Sequence, residues 1–115
     1  MDCIFCKVIS GELPGKFVYR DEDIVVISDI APKAPVHLLA IPKKHIDSVI
    51  HIDEGDKELM GRMILVANTV AKEAGLHENG YKILINNGSR AGQIVFHLHM
   101  HIMGGWREKN KVTNV

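Results

Sequence analysis

A chain of 115 residues has the size of one compact domain, since single domains commonly run about 100–150 residues. Its 46% hydrophobic and 24% charged residues allow an ordinary packed core and argue against wholesale disorder. Fourteen basic residues balance fourteen acidic ones, which excludes the strongly basic surface of a nonspecific nucleic-acid binder and leaves any phosphate recognition to local groups.

The opening MDCIFCKVIS has neither a basic leader nor a long apolar stretch, and no uninterrupted apolar run reaches the roughly 18 residues of a membrane span. A cytoplasmic protein with no membrane partner is expected. Asp2 reads as the cap of a short helix to about Ile9, ended by Ser10-Gly11 and turned by Pro14-Gly15. Cys3 and Cys6 are the only cysteines, and in a chain without export signals a C-x-x-C pair more often serves metal or redox chemistry than a structural disulfide. A thioredoxin-like pair would follow a strand, whereas this one opens the chain, so metal is favoured over redox.

Phe17-Val18-Tyr19 and Ile24-Val25-Val26-Ile27 are strand-like runs joined by Arg20-Asp21-Glu22-Asp23, a hairpin pattern. Two prolines in Asp29-Ile30-Ala31-Pro32-Lys33-Ala34-Pro35 preclude regular pairing and mark a loop. His37 to Ile41 reads as a strand stopped by Pro42. Between about Asp53 and Ala74, Leu59, Met63, Val66, Ala67, Val70 and Ala74 follow helical spacing, with Asp53 as cap and Gly75 as stop. Tyr81 to Asn86 reads as a strand, Asn87 to Gly92 as a glycine-bearing loop, and Val95 to Met103 as a last strand. One strand after the long helix followed by another through a short loop favours an antiparallel sheet with helices on one side, an α+β fold.

In the last of these strands the sequence is HLHMHIMGG. Successive strand residues face opposite ways, so His97, His99 and His101 share one face, about 6.5–7 Å apart, while Leu98, Met100 and Ile102 take the other. Two chemistries fit such a row. It could be a metal site, since neutral imidazole is a common transition-metal ligand. Alternatively one imidazole attacks phosphorus while its neighbours hold the phosphate and assist the leaving group. The preceding loop, Asn86 to Gln93, has glycines that let backbone N–H groups turn toward an anion, which tips the balance toward phosphate chemistry.

With DIAPKAPVH at residues 29–37, IPKKHI at 41–46 and GQIVFHLHMHIMGG at 92–105, the chain resembles the histidine-triad family of nucleotide-binding hydrolases and transferases, closest to its Hint-type, purine nucleoside phosphoramidase branch. The resemblance runs from about Cys3 to Gly105. It implies one domain over residues 1–115 with a core at about 3–105 and a tail at 106–115. It also implies a five-stranded antiparallel sheet with one long and one short helix, joined to a second copy in a homodimer with a larger continuous sheet.

The activity it implies is cleavage of purine nucleoside phosphoramidates or related adenylated compounds through a covalent nucleotidyl-histidine, with no metal needed for the chemistry. Cleavage of dinucleoside polyphosphates and non-catalytic nucleotide binding remain the alternatives. By resemblance, His99 is the nucleophile, His101 meets the phosphate or leaving group, and His37 is the additional active-site histidine. Asp29 would bind the ribose; Asn86, Gly92, Gln93 and Ile94 belong to the phosphate side; Phe5, Ile4, Val8 and Ile27 line the base pocket, and Ile30 is a further nucleotide-binding residue. Many eukaryotic relatives carry a phosphate-binding serine where Ile94 stands, and Ile94 offers only its backbone N–H. Zinc-bearing members of the wider superfamily look similar at Cys3, Cys6, His45 and His97, a Cys2His2 set suited to one tetrahedral structural zinc per chain. His97 would then be a ligand and not a catalyst.

Overall fold

In the computed structural model, which describes residues 3–108, the chain runs α1 (Ile4–Ser10), β1 (Phe17–Arg20), β2 (Ile24–Ser28), β3 (Val36–Pro42), α2 (Lys57–Glu73), β4 (Tyr81–Leu84) and β5 (Met100–Gly104). Single 3-10 turns interrupt the connections at Val49–His51, Glu54–Asp56 and Ser89–Ala91. The strands form one antiparallel sheet in the order β1-β2-β3-β5-β4. The expected α+β fold, five strands with one long and one short helix, is what the chain adopts.

The helices do not share one side of the sheet as expected: α2 covers one face and the short α1 part of the other, because β2 and β3 are apolar toward both faces. The apolar stripe of α2, Met63, Val66, Ala67, Val70 and Ala71, packs on Ile24, Val26, Leu38, Ala40, Met100 and Ile102. On the opposite face Val25, Ile27, Leu39 and Ile41 meet Cys3, Phe5 and Val8 of the N-terminal arm. Strand β2 is thus buried on both sides, which is why Ile24 to Ile27 form a continuous apolar run and not an alternating one. The arm-side face also carries the chemistry. In the β3–β5 register Leu39 lies opposite His101 and His37 opposite Met103, so His37 and His101 are diagonal neighbours on one face.

Several element boundaries differ from the sequence expectation for identifiable reasons. The expected cap Asp2 lies outside the described residues, as does the tail beyond residue 108. Cys3 occupies the cap position, its Sγ accepting the Cys6 N–H at 3.2 Å. The long helix begins at Lys57, because Asp53 and Asp56 close a capping box over a separate 3-10 turn. The last strand begins at Met100 and not at Val95. Continuing the register that pairs Ala40 with Met100 would set Leu98 against Pro42, which has no N–H to offer a ladder. Leu98 instead donates its N–H to the Ile46 carbonyl at 2.6 Å. His97 and His99 therefore precede β5, although Leu98 stays fully buried between them.

Candidate active site

Three of the seven histidines converge on the arm-side face. His99 is buried and donates its Nδ1–H to the His97 carbonyl at 2.8 Å. A neutral imidazole carries one proton, so the Nε2 of His99 keeps a free lone pair. Burial pushes the His99 pKa below its ordinary value, outweighing the backbone hydrogen bond that favours the cation. The ring is consequently neutral near pH 7, the form in which an imidazole nitrogen has a lone pair to share. Phe5 from α1 sets its ring edge-on to His99 at a centroid distance of 5.0 Å, fixing the imidazole from the side.

His101 has the opposite tautomer. His37, also buried, accepts the Lys33 N–H on Nδ1 at 3.0 Å, so its own proton sits on Nε2. That proton faces His101 Nδ1 at 2.9 Å and Asp29 Oδ2 at 3.3 Å. With Nδ1 accepting, neutral His101 carries its proton on Nε2. Burial, then the neighbouring His99 and His37, push its pKa down to about 4, so it too is neutral near pH 7. Burial likewise lowers His37, against the partly compensating charge of Asp29.

His97 does a different job. It is fully buried and donates Nε2–H to the Pro42 carbonyl at 2.7 Å, which aims Nδ1 at Cys3 Sγ (3.3 Å) and Cys6 Sγ (3.5 Å). His45 repeats the device: Nε2–H is donated to Asp47 Oδ1 at 2.8 Å, and Nδ1 faces Cys6 Sγ at 3.4 Å. Two sulfurs and two imidazole nitrogens thus lie within 4.8 Å of one another, each ring held in the tautomer a metal requires by an acceptor behind it. The four fit a closed tetrahedral set. Asp29, His37 and His101 also bring their donor atoms within 4.8 Å, but the Lys33 N–H keeps a proton on the His37 nitrogen that faces them. That second cluster is a hydrogen-bonded relay and not a ligand set.

The remaining expected site residues fall into two groups. Asn86 donates from Nδ2 to the Ala91 carbonyl at 2.9 Å, bracing the loop in which Gly92 takes φ +91°, a conformation natural to glycine. Gln93 is buried, its Oε1 accepting the Gly88 N–H at 2.8 Å and its Nε2 donating to the Asp47 and Val95 carbonyls at 2.6 and 3.1 Å. Its side chain staples the loop. Asp29 accepts the Ala31 N–H on Oδ1 at 2.8 Å. Phe5, Val8 and Ile27 are buried, whereas Ile4, Ile30 and Ile94 are exposed. Sequence reasoning missed Asp47, whose H-x-D spacing after His45 was the available signal. It also missed the Pro42 carbonyl and the Lys33 amide, which leave none because every peptide carries such groups.

Comparison with known proteins gives this geometry a lineage. The family model described as the HIT domain matches residues 10–108. The chain is 50% identical over 103 residues to Protein HitA of Neisseria gonorrhoeae, covering 90% of this chain and 95% of that protein. It is 39% identical over 104 residues to the purine nucleoside phosphoramidase of Escherichia coli (strain K12), covering 90% and 87%. A HIT family hydrolase from Legionella pneumophila Philadelphia 1 superposes with a TM-score of 0.90 at 42% identity, over 92% of this chain and 95% of that one. A fold, a histidine arrangement and relatives that agree over nine-tenths of the chain make this protein a member of the HIT domain family.

Proposed function

We propose that the protein is a nucleotidyl-transfer hydrolase acting on purine nucleoside phosphoramidates or related adenylated compounds. The observation that carries this reading is the pairing of opposite tautomers, a free lone pair on His99 Nε2 beside an N–H on His101 Nε2. Nucleophile and acid are thereby distinguished without either ring being charged. The phosphoramidase named among the relatives supports the substrate class.

His99 Nε2 attacks the α-phosphorus, forming a P–N bond as the bond to the leaving amine breaks. The amine departs with that electron pair and takes the Nε2 proton of His101; the negative charge left on the His101–His37 pair is offset by the positively charged nucleotidyl-imidazolium of the adjacent His99 until a proton returns. Water then attacks the phosphorus and gives a proton back to His101 Nε2 as the His99–phosphorus bond breaks with its electron pair returning to His99 Nε2, so the nucleoside monophosphate leaves with both histidines regenerated. Splitting one displacement into two lowers each barrier. Asp29 binds the ribose hydroxyls with lone pairs left on its carboxylate oxygens. The backbone of Gly92, Gln93 and Ile94 receives the phosphate, with Asn86 bracing that loop. Phe5, Ile4, Val8, Ile27 and Ile30 contribute to the nucleoside pocket.

Cys3, Cys6, His45 and His97 hold one structural zinc, which when bound ties the N-terminal arm to the segment carrying His99 and leaves no open position for substrate. The working form is a cytoplasmic homodimer of single-domain chains. Among the described residues strand β4 pairs with β5 on one side only, and two grooves beside it include the exposed Ile83 and Ile64. Such an edge favours pairing with a second copy.

The test compares turnover of adenosine phosphoramidate with that of a diadenosine polyphosphate and traps labelled nucleotide on acid-quenched protein. Faster phosphoramidate turnover with label on His99 is the expected result. Preference for the polyphosphate would move the substrate class, and stoichiometric AMP binding without trapped label would make the chain a binding module.

A further inference from the structure

We infer that the backbone amide of Lys33 is a positioning group, setting which nitrogen of His101 offers a proton to the substrate. The DIAPKAP loop between β2 and β3 is more than a connector. Asp29 pins the loop at its start, its Oδ1 accepting the Ala31 N–H at 2.8 Å and its own N–H donating to the His37 carbonyl at 2.9 Å. Pro32 fixes its own φ, and Ala34 is restricted by the Pro35 that follows. Lys33 is thus held between two conformationally limited neighbours, and its N–H meets His37 Nδ1 at 3.0 Å.

The consequence propagates because each neutral imidazole has one proton and two nitrogens. With the amide donating to His37 Nδ1, the His37 proton resides on Nε2 and points at His101 Nδ1, 2.9 Å away. His101 must then carry its proton on Nε2, where it meets an anionic phosphate or a leaving amine. Without the amide the chain runs backward. His37 protonated at Nδ1 would turn a bare Nε2 toward His101, which would answer with Nδ1–H and leave a lone pair facing the phosphate. The peptide N–H thereby biases His101 toward attracting and not repelling the substrate. The Asp29 carboxylate at 3.3 Å also accepts from His37 Nε2, so it favours the same direction as the amide.

The consequence for catalysis rests on the proposed nucleotidyl-transfer reading, but the tautomers themselves are readable in the ligand-free protein. The decisive variant replaces the peptide N–H at residue 33 by an ester oxygen, leaving the Lys33 side chain in place; Lys33→Pro is the genetically encoded counterpart, and Lys33→Ala keeps the N–H as a control. Nitrogen-15 NMR of the histidines at pH 7.5 is expected to show His37 and His101 as Nε2–H in wild type and Lys33→Ala, and both shifted toward Nδ1–H in the ester protein. AMP affinity, read by calorimetry, should fall about tenfold in the ester, the scale of one hydrogen bond to a charged acceptor. Retention of the Nε2–H form of His101 in a folded ester protein overturns the inference. Tautomers that shift while AMP affinity stays unchanged also overturn it, since His101 would then not meet the phosphate. An inactive wild type with the expected tautomers would instead count against the proposed activity alone.

Discussion

His99 gives its Nδ1–H to the carbonyl of His97, two residues back, at 2.8 Å, while the ring of His97 turns its Nδ1 to the two cysteines. One residue therefore belongs to the candidate metal set through its side chain and to the candidate nucleophile through its backbone. Displacing the His97 ring disturbs the carbonyl that holds His99. Replacing His99 with Ala removes the proposed attacking nitrogen, so turnover of adenosine phosphoramidate should fall roughly a thousandfold or more. AMP affinity should change little. Steady-state rates and calorimetry on the same preparation check this, and a near-normal rate in the variant would sink the mechanism.

The buried histidines give the protein a direction of pH dependence. His37, His99 and His101 all titrate below their ordinary value because burial disfavours the imidazolium. Between the folded pKa and about 6.5, the unfolded chain binds protons that the folded chain does not, so stability rises with pH across that interval. For His101 the interval runs from about 6.5 down to about 4, and below it the loss is complete. Urea midpoints at pH 7.5, 5.5 and 4.5 should therefore decline, and His101→Gln should flatten the decline. An equal slope in the variant would refute the assignment. Asp21 behaves oppositely. Burial alone would raise its pKa, but hydrogen bonds from Tyr19 and the Asp23 and Ile24 amides, with Arg62 alongside, bring it to about 2. Its stabilising contribution persists above about 4 and disappears only as pH falls through 2.

The His45–Asp47 pair makes a prediction about metal affinity. Asp47 accepts the Nε2–H of His45 and so holds the tautomer whose Nδ1 faces Cys6. Partners of this kind behind a ligating histidine commonly change metal affinity by about 10–100-fold. Asp47→Ala should weaken zinc binding by that factor in a chelator-competition titration while leaving one zinc per chain at saturation. Unchanged affinity would mean that the carboxylate is merely a surface neighbour. A second equivalent of zinc displaced by AMP would contradict the relay reading of Asp29, His37 and His101.

What was legible in the sequence was whatever depended on side-chain period or spacing. The stripe of α2, the continuous apolar run of β2 and the alternation of His97, Leu98 and His99 all express which face a residue turns inward. The Cys3–Cys6 pair was legible because these are the chain's two cysteines, whereas His45, one of seven histidines, joined the set through the resemblance to zinc-bearing members of the superfamily. The start of β5 was not legible, since alternation persists through His97 to His99 where the ladder hydrogen bonds stop, and a pattern of burial does not record which N–H pairs with which carbonyl. Proline at residue 42, read only as the end of β3, also determines where its neighbour strand begins. The division of protons among the histidines was equally hidden, because Lys33, Pro42 and His97 act there through peptide groups that any residue would supply.

Gln93 tests whether the loop before the histidines matters through its side chain or its shape. The residue is buried and satisfies the Gly88 N–H and the Asp47 and Val95 carbonyls at once. It thereby links the candidate phosphate loop to the segment that carries the His45–Asp47 pair. Gln93→Ala leaves those backbone groups without their present partners, at a cost of about 1–3 kcal/mol for a buried unsatisfied group. Gln93→Glu keeps an acceptor for Gly88 but sets a carboxylate oxygen against two carbonyls, so it should destabilise at least as much. If the loop backbone receives the phosphate, Gln93→Ala raises KM for adenosine phosphoramidate several-fold while kcat, which depends on His99 and His101, changes less. Chemical denaturation supplies the stability difference and steady-state kinetics the split. A fall in kcat with KM unchanged would place the loop's contribution at the reacting centre and not in phosphate binding.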